Sequence, residues 1–301
     1  MYILKHITLI LIVFSLLSCE KEQTKEYVPT FGKISPINSH EYIFGIHPLH
    51  NPKRLHLVFG PLITYLSEEI PEVSFKLEAS RNYAAYDEKL YAGKFHFSLP
   101  NPYQTINSLK HGYKVFGKMG DDENFCGIIL TRKDSDIKDV KDLLGKAVSF
   151  PAPTALAATM MPQYLLYEMG LDINKDIDIL YVGSQESSIM NVFLGNTAAA
   201  ATWPPPWLAL AKERPELRRE LEIKWQTAPL LNNGLVVRND VPQVIIDKVS
   251  KLLFNLHKSD KGRNILENLE LSKFESASND SYTPVLEFLK QFDKNIRHIN
   301  Y

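Results

Sequence analysis

The feature that most constrains the fold of this chain is an alternation of short apolar runs with longer segments of helical spacing, which begins near residue 41. The apolar runs are rich in β-branched and aromatic side chains, and a turn or capping residue follows each of them. Strand-then-helix repetition of this kind predicts an α/β fold with mainly parallel sheets. The predicted strands of the pattern are 42–46, 74–79, 94–99, 146–150, 176–182 and 198–202.

Capping residues indicate where several of the predicted helices begin. Asn51 is a favourable N-cap, and Pro52 is a favourable first helical residue. Thr154 is expected to cap a helix over 154–169, and Pro206 is expected to open the helix after the last predicted strand. These helices start directly after strands, which is where ligands bind in open α/β sheets.

The N-terminal stretch predicts an export signal rather than a membrane span. Its apolar run over 7–17 is shorter than the about 20 residues that a spanning helix needs. The sequence "LLSC" at 16–19 then resembles a bacterial lipobox, in which the cysteine is lipidated. We expect a signal peptide over 1–18 and a lipid-anchored tether over 19–35, on the periplasmic or external side of a bacterial membrane. Plain secretion with an incidental Cys19 is the alternative.

Composition and motifs exclude several classes of function. The formal net charge of the 301 residues is −1, so there is no general argument for nucleic-acid binding. The sequence has no GxSxG, P-loop or GxGxxG motif, which removes the usual signals of a hydrolase or a nucleotide enzyme. His47, His50 and His56 lack a carboxylate or cysteine at ligand spacing, so surface or capping roles are favoured over a metal site. We expect neither a cofactor nor a metal.

The cysteines leave no possibility of a disulfide within the mature chain. Cys126 is the one cysteine besides Cys19, and it lies in the apolar run "NFCGIIL". With Cys19 lipidated, Cys126 has no partner in an export compartment that would permit a bond. A buried, unreactive side chain is the favoured interpretation of Cys126.

Two similar segments divide the chain into two predicted lobes. "CGIILTRKD" at 126–134 and "GLVVRND" at 234–240 are both apolar runs that end in a basic residue and an aspartate. If both segments cross between lobes, residues 127–236 form an inserted lobe, and 36–126 with 237–301 form the other. Two α/β lobes joined by two strands enclose a cleft that a hinge can close.

The predicted strand–helix junctions carry polar and aromatic residues with few charges. This composition suits capture of a small solute by hydrogen bonds better than acid–base chemistry. The junction residues are His47, His50, Arg81, Tyr83, Asn101, Tyr103, Thr154, Gln185, Glu186, Ser187 and 202–207.

Four long stretches together resemble a known family. They are "FGIHPLHNPKRLHLVFGPLITYLSEEI", "NYAAYDEKLYAGKFHFSLPNPYQTI", "ILTRKDSDIKDVKDLLGKAVSFPAPTALAATMMPQYLLYEMGLDI" and "GLVVRNDVP". In their order the chain resembles the phosphate-, phosphite- and phosphonate-binding components of bacterial ABC transporters. The resemblance covers nearly the whole mature chain and implies a type II periplasmic-binding-protein fold, with two α/β lobes joined by two hinge strands.

The resemblance transfers binding roles to only some positions. Tyr83 matches a family tyrosine that opens the helix after the second strand, and Tyr103 stands close to the place of a second one. The family holds the phosphoryl group at a Ser/Thr-rich turn, where this chain has Thr154 but places Ala155 and Ala157 at positions that usually carry serines.

Further along the chain the family pattern changes again. Gln185 and Glu186 stand where the family often has a histidine, and alanines replace an acid near the end of the next strand. The prolines after Trp203 predict a preset loop with Trp203 as an apolar wall of the cleft, although Trp203 as a core or rim anchor is the alternative. Trp207 is expected in the core. The expected ligand-binding residues are Tyr83, Tyr103, Thr154, Ala155, Gln185, Glu186, Thr202 and Trp203.

The function implied is that of a lipid-anchored, monomeric solute-binding protein that delivers a small oxyanion to an inner-membrane ABC permease. A ligand-sensing lipoprotein of the same fold, signalling to a membrane partner without transport, is the alternative. An export-side hydrolase is a third hypothesis, but it needs a nucleophile–base pair or a metal cluster, and the sequence shows neither.

Overall fold

Two β-sheets with helices packed on them form the part of the chain that the structure describes. This structure is a computed structural model, and it describes residues 40–301. The predicted signal peptide, Cys19 and the tether over 19–35 lie outside the described residues.

Eleven strands and ten α-helices make up the described residues, together with short 3-10 turns. The strands are β1 (His40–Ile46), β2 (Val73–Glu78), β3 (Phe97–Leu99), β4 (Tyr113–Met119), β5 (Ile128–Arg132), β6 (Lys146–Phe150), β7 (Ile177–Tyr181), β8 (Ala199–Thr202), β9 (Leu221–Gln226), β10 (Gly234–Arg238) and β11 (Phe274–Ser276). The helices are α1 (Pro52–Glu69), α2 (Tyr83–Tyr91), α3 (Pro102–Ser108), α4 (Met161–Glu168), α5 (Gln185–Phe193), α6 (Pro204–Glu213), α7 (Pro215–Glu220), α8 (Gln243–Asn255), α9 (Asp260–Asn268) and α10 (Thr283–Asn295). A π-helical turn, Leu156–Met160, precedes α4.

The first sheet has the order β11-β4-β10-β3-β1-β2, and the second has the order β7-β6-β8-β5-β9. The α/β class is confirmed, but the sheets are mixed rather than mainly parallel. Four strand pairings are parallel and five are antiparallel. β5 and β10, which follow the two links between the sheets, account for four of the antiparallel pairings. The expectation failed because strand–helix repetition says nothing about strands that enter a sheet from the other sheet.

The chain passes between the sheets twice, through 120–127 and through 227–233. β5 lies wholly in the second sheet and β10 wholly in the first. The similar segments 126–134 and 234–240 therefore do not span the crossings themselves. Each one carries the strand that follows a crossing. The lobe boundaries at 126 and 236 remain a prediction.

Local sequence signals explain where α1 begins. The side chain of Asn51 accepts a hydrogen bond from the Arg54 backbone N–H at 3.0 Å, and Pro52 is the first helical residue. This confirms the predicted start of the helix, in which Pro52 loses nothing because an N–H at this position has no helical acceptor.

The core of the second sheet contains the side chains that the sequence predicts to be buried. β8 is buried along its whole length, as its run of small residues indicates. Cys126 and Trp207 pack in one apolar cluster of this sheet, and burial raises the pKa of the Cys126 thiol. Cys126 is therefore an unreactive core residue. None of the helices in residues 40–301 is both long and apolar enough to cross a membrane.

Candidate functional site

A small cavity lies where several helices begin, directly after strands of the first and second sheets. We call it the Trp203 cavity. It leaves about 10 Å³ for the centre of a water molecule, which is the space of about one water. Its walls come from strand ends, helix starts and both links between the sheets. The lining residues are His47, Tyr83, Asn101, Phe125, Ala155, Leu156, Ala157, Ala158, Gln185, Trp203 and Asn233.

One wall of the Trp203 cavity is the π-helical turn Leu156–Met160. Pro162 has no N–H and its ring would clash with the carbonyl four residues back, so a wider turn relieves the strain. The Met160 N–H accordingly reaches the Ala155 carbonyl at 3.2 Å. Ala155 is the N-cap and offers no side-chain cap, so the backbone N–H groups of residues 156–158 have no helical acceptor at the cavity wall. Such groups attract anions.

The start of α6 also lines the cavity, but it presents different chemical groups from those of the π-turn. Trp203 is the N-cap, and the three prolines that follow it form the first turn of the helix. The preset loop expected here is therefore part of a helix, which begins two residues before Pro206. Because proline has no N–H, this helix start offers the cavity an aromatic face and almost no donors. The Trp203 ring is 3% exposed and meets the Phe125 ring edge-to-face, with 5.5 Å between the centroids.

A chain of buried hydrogen bonds orients the Tyr83 hydroxyl. Thr202 Oγ1 donates to Gln185 Oε1 at 2.8 Å, and Gln185 Nε2 donates to the Tyr83 oxygen at 3.2 Å. Since the Tyr83 oxygen accepts this bond, its own proton is left to donate elsewhere. Burial raises the pKa of Tyr83 well above its usual value, so the hydroxyl stays protonated. Thr202 supports Gln185 without lining the cavity itself.

His47 is buried at the end of β1, although the sequence favours a surface or capping role for it. Its ring Nδ1–H donates to the Leu99 carbonyl at 2.8 Å, which fixes the tautomer because a carbonyl only accepts. Burial lowers the pKa of His47 to about 4, against the opposing effect of the Leu99 bond. The ring is therefore neutral at neutral pH, and its Nε2 is a hydrogen-bond acceptor.

Asn233 brings a second acceptor to the cavity. It lies in the second link between the sheets, is fully buried, and its Nδ2 makes a 3.3 Å contact with the Met119 sulfur. Its Oδ1 has no hydrogen-bond partner among the described residues. Buried polar atoms normally have a partner, so an unmatched oxygen beside a cavity indicates a missing one.

Four of the expected binding residues do not line the Trp203 cavity: Thr202, which supports Gln185, and three residues that bond elsewhere. The Tyr103 hydroxyl donates to the Asn300 carbonyl at 2.6 Å, so it is committed to the C-terminal segment. Glu186 accepts two hydrogen bonds from Asn51 Nδ2, at 2.9 and 3.0 Å. Thr154 does not cap the helix, because the N-cap of the π-turn is Ala155 and the Thr154 hydroxyl donates elsewhere. Each side chain is near the site but occupied by another partner.

The partner of Thr154 is a carboxylate on α2. Thr154 Oγ1 donates to Asp87 Oδ2 at 3.3 Å, while Gln104 Nε2 donates to Asp87 Oδ1 at 2.5 Å. Burial raises the pKa of Asp87 to about 6, although the two hydrogen bonds act in the opposite direction. Asn101 Nδ2 also donates to the Thr154 carbonyl at 2.9 Å. Together these bonds hold the turn before the π-helix against α2 and the start of α3, the helices that follow strands β2 and β3 of the first sheet.

The cavity is electrically neutral apart from backbone dipoles. Among the residues that the structure describes, none with a formal side-chain charge lines it at neutral pH. No group of three potential metal-binding side chains occurs within residues 40–301. The arrangement suits binding of a small polar solute and provides no nucleophile with its base.

Sequence reasoning missed Phe125 and Asn233 as lining residues and misjudged His47. Phe125 and Asn233 lie in the two links between the sheets, next to β5 and β10. The available signal was their position beside the predicted crossing segments, since residues at a crossing lie between the two sheets. For His47 the signal was its place directly after a buried apolar strand.

The sequence matches the profile of one protein family over residues 44–282. That family is described as "ABC transporter, phosphonate, periplasmic substrate-binding protein". The chain belongs to this family. Members of this family are periplasmic and bind substrate for a transporter, so the protein is not an enzyme.

Two solved structures of phosphonate-binding proteins share the fold of this chain at low sequence identity. The binding-protein component of an ABC phosphonate transporter from Pseudomonas aeruginosa has a TM-score of 0.79 at 17% identity, covering 86% of this chain and 88% of its own. PhnD1 from Prochlorococcus marinus (MIT 9301), in complex with methylphosphonate, has a TM-score of 0.76 at 20% identity, covering 85% and 100%. The likeness confirms the two-lobe type II fold class.

The match to a curated relative is shorter. The phosphonates-binding periplasmic protein of Escherichia coli (strain K12) is 20% identical over 165 residues. The aligned part spans 54% of this chain and 49% of that protein, so the chain matches about half the length of its curated relative.

Proposed function

We propose that the protein is the lipid-anchored solute-binding component of an ABC importer and binds a small phosphorus oxyanion in the Trp203 cavity. Phosphate, phosphite and phosphonates are the ligand class. The partner is an inner-membrane ABC permease, and the protein acts as a monomer tethered through Cys19.

The observation that carries this proposal is the convergence of donors on one small cavity. The three free N–H groups of residues 156–158 and the Tyr83 hydroxyl all belong to residues that line it. A tetrahedral oxyanion accepts several hydrogen bonds at once, and a helix start adds the favourable end of its dipole. Trp203 and Phe125 supply an apolar wall of the kind that small-molecule sites use.

Binding requires the two sheets to move apart and close again. A cavity with room for about one water is too small for a phosphonate. The contacts that must break for it to open are hydrogen bonds, such as those of Asn101 with Thr154 and of Asn51 with Glu186. We assign one lobe to 36–126 and 237–301 and the other to 127–236. The links 120–127 and 227–233 are the proposed hinge.

A sensing lipoprotein of the same fold is the second candidate. It is favoured by the lack of side-chain hydroxyls at the positions next to the turn's start that line the cavity, which are Ala155, Leu156, Ala157 and Ala158. At these positions the site offers its ligand only backbone N–H groups, which suits another small molecule. Import of radiolabelled methylphosphonate by cells, lost on deletion of the gene, would support transport; unchanged import with retained binding would support sensing.

Tryptophan emission tests the proposed ligand and its position. Titration with phosphate, phosphite or methylphosphonate should change the emission of the wild-type protein, since Trp203 lines the cavity. Trp203→Phe should lose most of this change, whereas Trp207→Phe, a buried residue in the other apolar cluster, should keep it. No change in emission or melting temperature with any of the three oxyanions would contradict the proposal.

The lipid anchor has its own test. The wild-type protein should partition into detergent after processing at Cys19. Cys19→Ala should be either unprocessed or released as soluble protein, because the residue that carries the lipid is gone. A correctly cleaved Cys19→Ala protein that still partitions into detergent would disprove the anchor and leave ligand binding untouched.

A further inference from the structure

The Trp203 cavity presents unmatched acceptors as well as donors. His47 Nδ1 is committed to Leu99, so Nε2 is the ring atom left, and it makes no hydrogen bond to the described residues. Asn233 Oδ1 is equally without a partner. Asn233 is fully buried, so bulk water does not satisfy its Oδ1, and His47 as a whole is only 2% exposed. A fully ionised oxyanion would place its own lone pairs against them.

We propose, on the basis of the proposed function, that the protein binds its phosphorus oxyanion in the protonated P–OH form, with that proton shared between a ligand oxygen and His47 Nε2. The remaining oxygens accept from the N–H groups of residues 156–158 and from Tyr83. His47 is thus a specificity-determining residue that requires a ligand able to carry a proton.

The charge of the cavity supports the same conclusion. No cationic side chain lines it among the described residues, so a buried dianion would be compensated only by dipoles. Burying an uncompensated charge is costly, and a second charge on the same ligand makes the cost greater. One proton between ligand and imidazole reduces the net charge of the buried pair to −1.

The titratable groups around His47 do not supply a competing proton. Tyr83 and Tyr86 of α2 meet its ring edge-on, and burial keeps both hydroxyls protonated by raising their pKa values. Burial and the nearby charge of Arg54 lower the pKa of His50, on the same segment, to about 3. The carboxylates on adjoining elements, Asp87 and Glu186, are bonded to other side chains.

Proton linkage gives the test on the wild-type protein. Calorimetric titration of the full-length protein with methylphosphonate, in two buffers of different ionisation enthalpy, measures protons taken up on binding. At about pH 8.5, where the free ligand is a dianion, we expect uptake of about one proton, and near zero at about pH 6. The affinity should fall about tenfold per pH unit above the second ionisation of the ligand.

Methanesulfonate separates shape from protonation. It has nearly the shape of methylphosphonate but carries no proton at these pH values, so its oxygen lone pairs would face the His47 nitrogen. Leaving that buried acceptor unmatched should weaken binding by roughly 10- to 100-fold. His47→Gln, whose amide can donate, should lose the proton uptake and reduce the discrimination. His56→Gln, at an exposed position on α1, should behave like the wild type.

The outcomes separate this inference from the function on which it rests. Methylphosphonate binding without proton uptake, together with comparable methanesulfonate binding, would overturn the role of His47 and leave oxyanion binding standing. Unchanged proton uptake in His47→Gln would place the proton elsewhere and also overturn it. If neither phosphate, phosphite nor methylphosphonate binds, both proposals fail.

Discussion

At the scale of single residues, Asp87 is a partly buried acid that holds the turn before the π-helix through Thr154. Its position could not be foreseen, because residue 87 and residue 154 lie far apart in sequence and meet only after both sheets form. The same is true of Tyr103, whose hydroxyl is committed to Asn300 almost two hundred residues along the chain. The sequence predicts Thr154 and Tyr103 as binding residues but does not identify their partners.

Asp87→Asn should change how stability depends on pH. The pKa of Asp87 is about 6 in the folded protein, raised from 3.8, so the folded state binds more protons between these values. The wild-type protein therefore loses stability from this group as pH rises from about 4 to about 7. The variant lacks the titration, so its melting temperature relative to wild type should improve over that interval.

The control for this experiment is Asp136→Asn, which removes the same charge at an exposed position. Melting temperatures measured at several pH values check the prediction. A constant difference between Asp87→Asn and wild type across the interval would show that Asp87 does not titrate as described.

At the scale of elements, the two helix starts at the Trp203 cavity differ because of where their prolines lie. Prolines in the first turn of α6 remove its free N–H groups, whereas Pro162 acts six residues into its helix and leaves the N–H groups of residues 156–158 intact. The sequence predicts both helices from local signals. The π-turn was missed because Thr154 matches a capping residue, although Pro162 determines the wider geometry further along.

Gly127→Ala should disturb the π-turn directly. A Cβ at this position would lie 2.5 Å from the Ala157 carbonyl oxygen and 2.6 Å from Pro162 Cδ, so the turn would have to shift. Overpacking of this kind costs about 1–3 kcal/mol of stability. Methylphosphonate binding should also weaken, because the N–H groups of the turn move with its backbone.

The matched control is Gly60→Ala on α1, where a Cβ would meet nothing within 4 Å. Alanine is a better helix former than glycine, but Pro61 follows and its ring disfavours a Cβ on the residue before it, so this variant should change stability by less than about 1 kcal/mol. Chemical denaturation and ligand titration of both variants check the pair. Gly127→Ala with wild-type stability and wild-type affinity would contradict the close packing of the turn.

At the scale of the whole molecule, the fold follows from the sequence more completely than the site does. Alternating strands and helices predict the α/β class, because each element needs an apolar face that its own residues supply. The mixed pairing of the sheets, and the placement of Phe125 and Asn233 in the cavity wall, arise from the two links between the sheets. Such features depend on how the sheets meet, which no local pattern records.

Hinge closure is the prediction at this scale. Without ligand the lobes should open in solution, since the described form leaves room for about one water in the Trp203 cavity. Small-angle scattering should show a smaller radius of gyration with saturating methylphosphonate than without it. An unchanged radius of gyration, under conditions where calorimetry shows saturation, would contradict a hinge.

The most direct measurement is a crystal structure of the protein grown with methylphosphonate. We expect the phosphonate in the Trp203 cavity, with oxygens accepting from the N–H groups of residues 156–158 and from Tyr83. One further oxygen should lie within hydrogen-bond distance of His47 Nε2. A phosphonate bound at another place on the protein, or an empty Trp203 cavity at saturating ligand, would rule out oxyanion binding at this cavity.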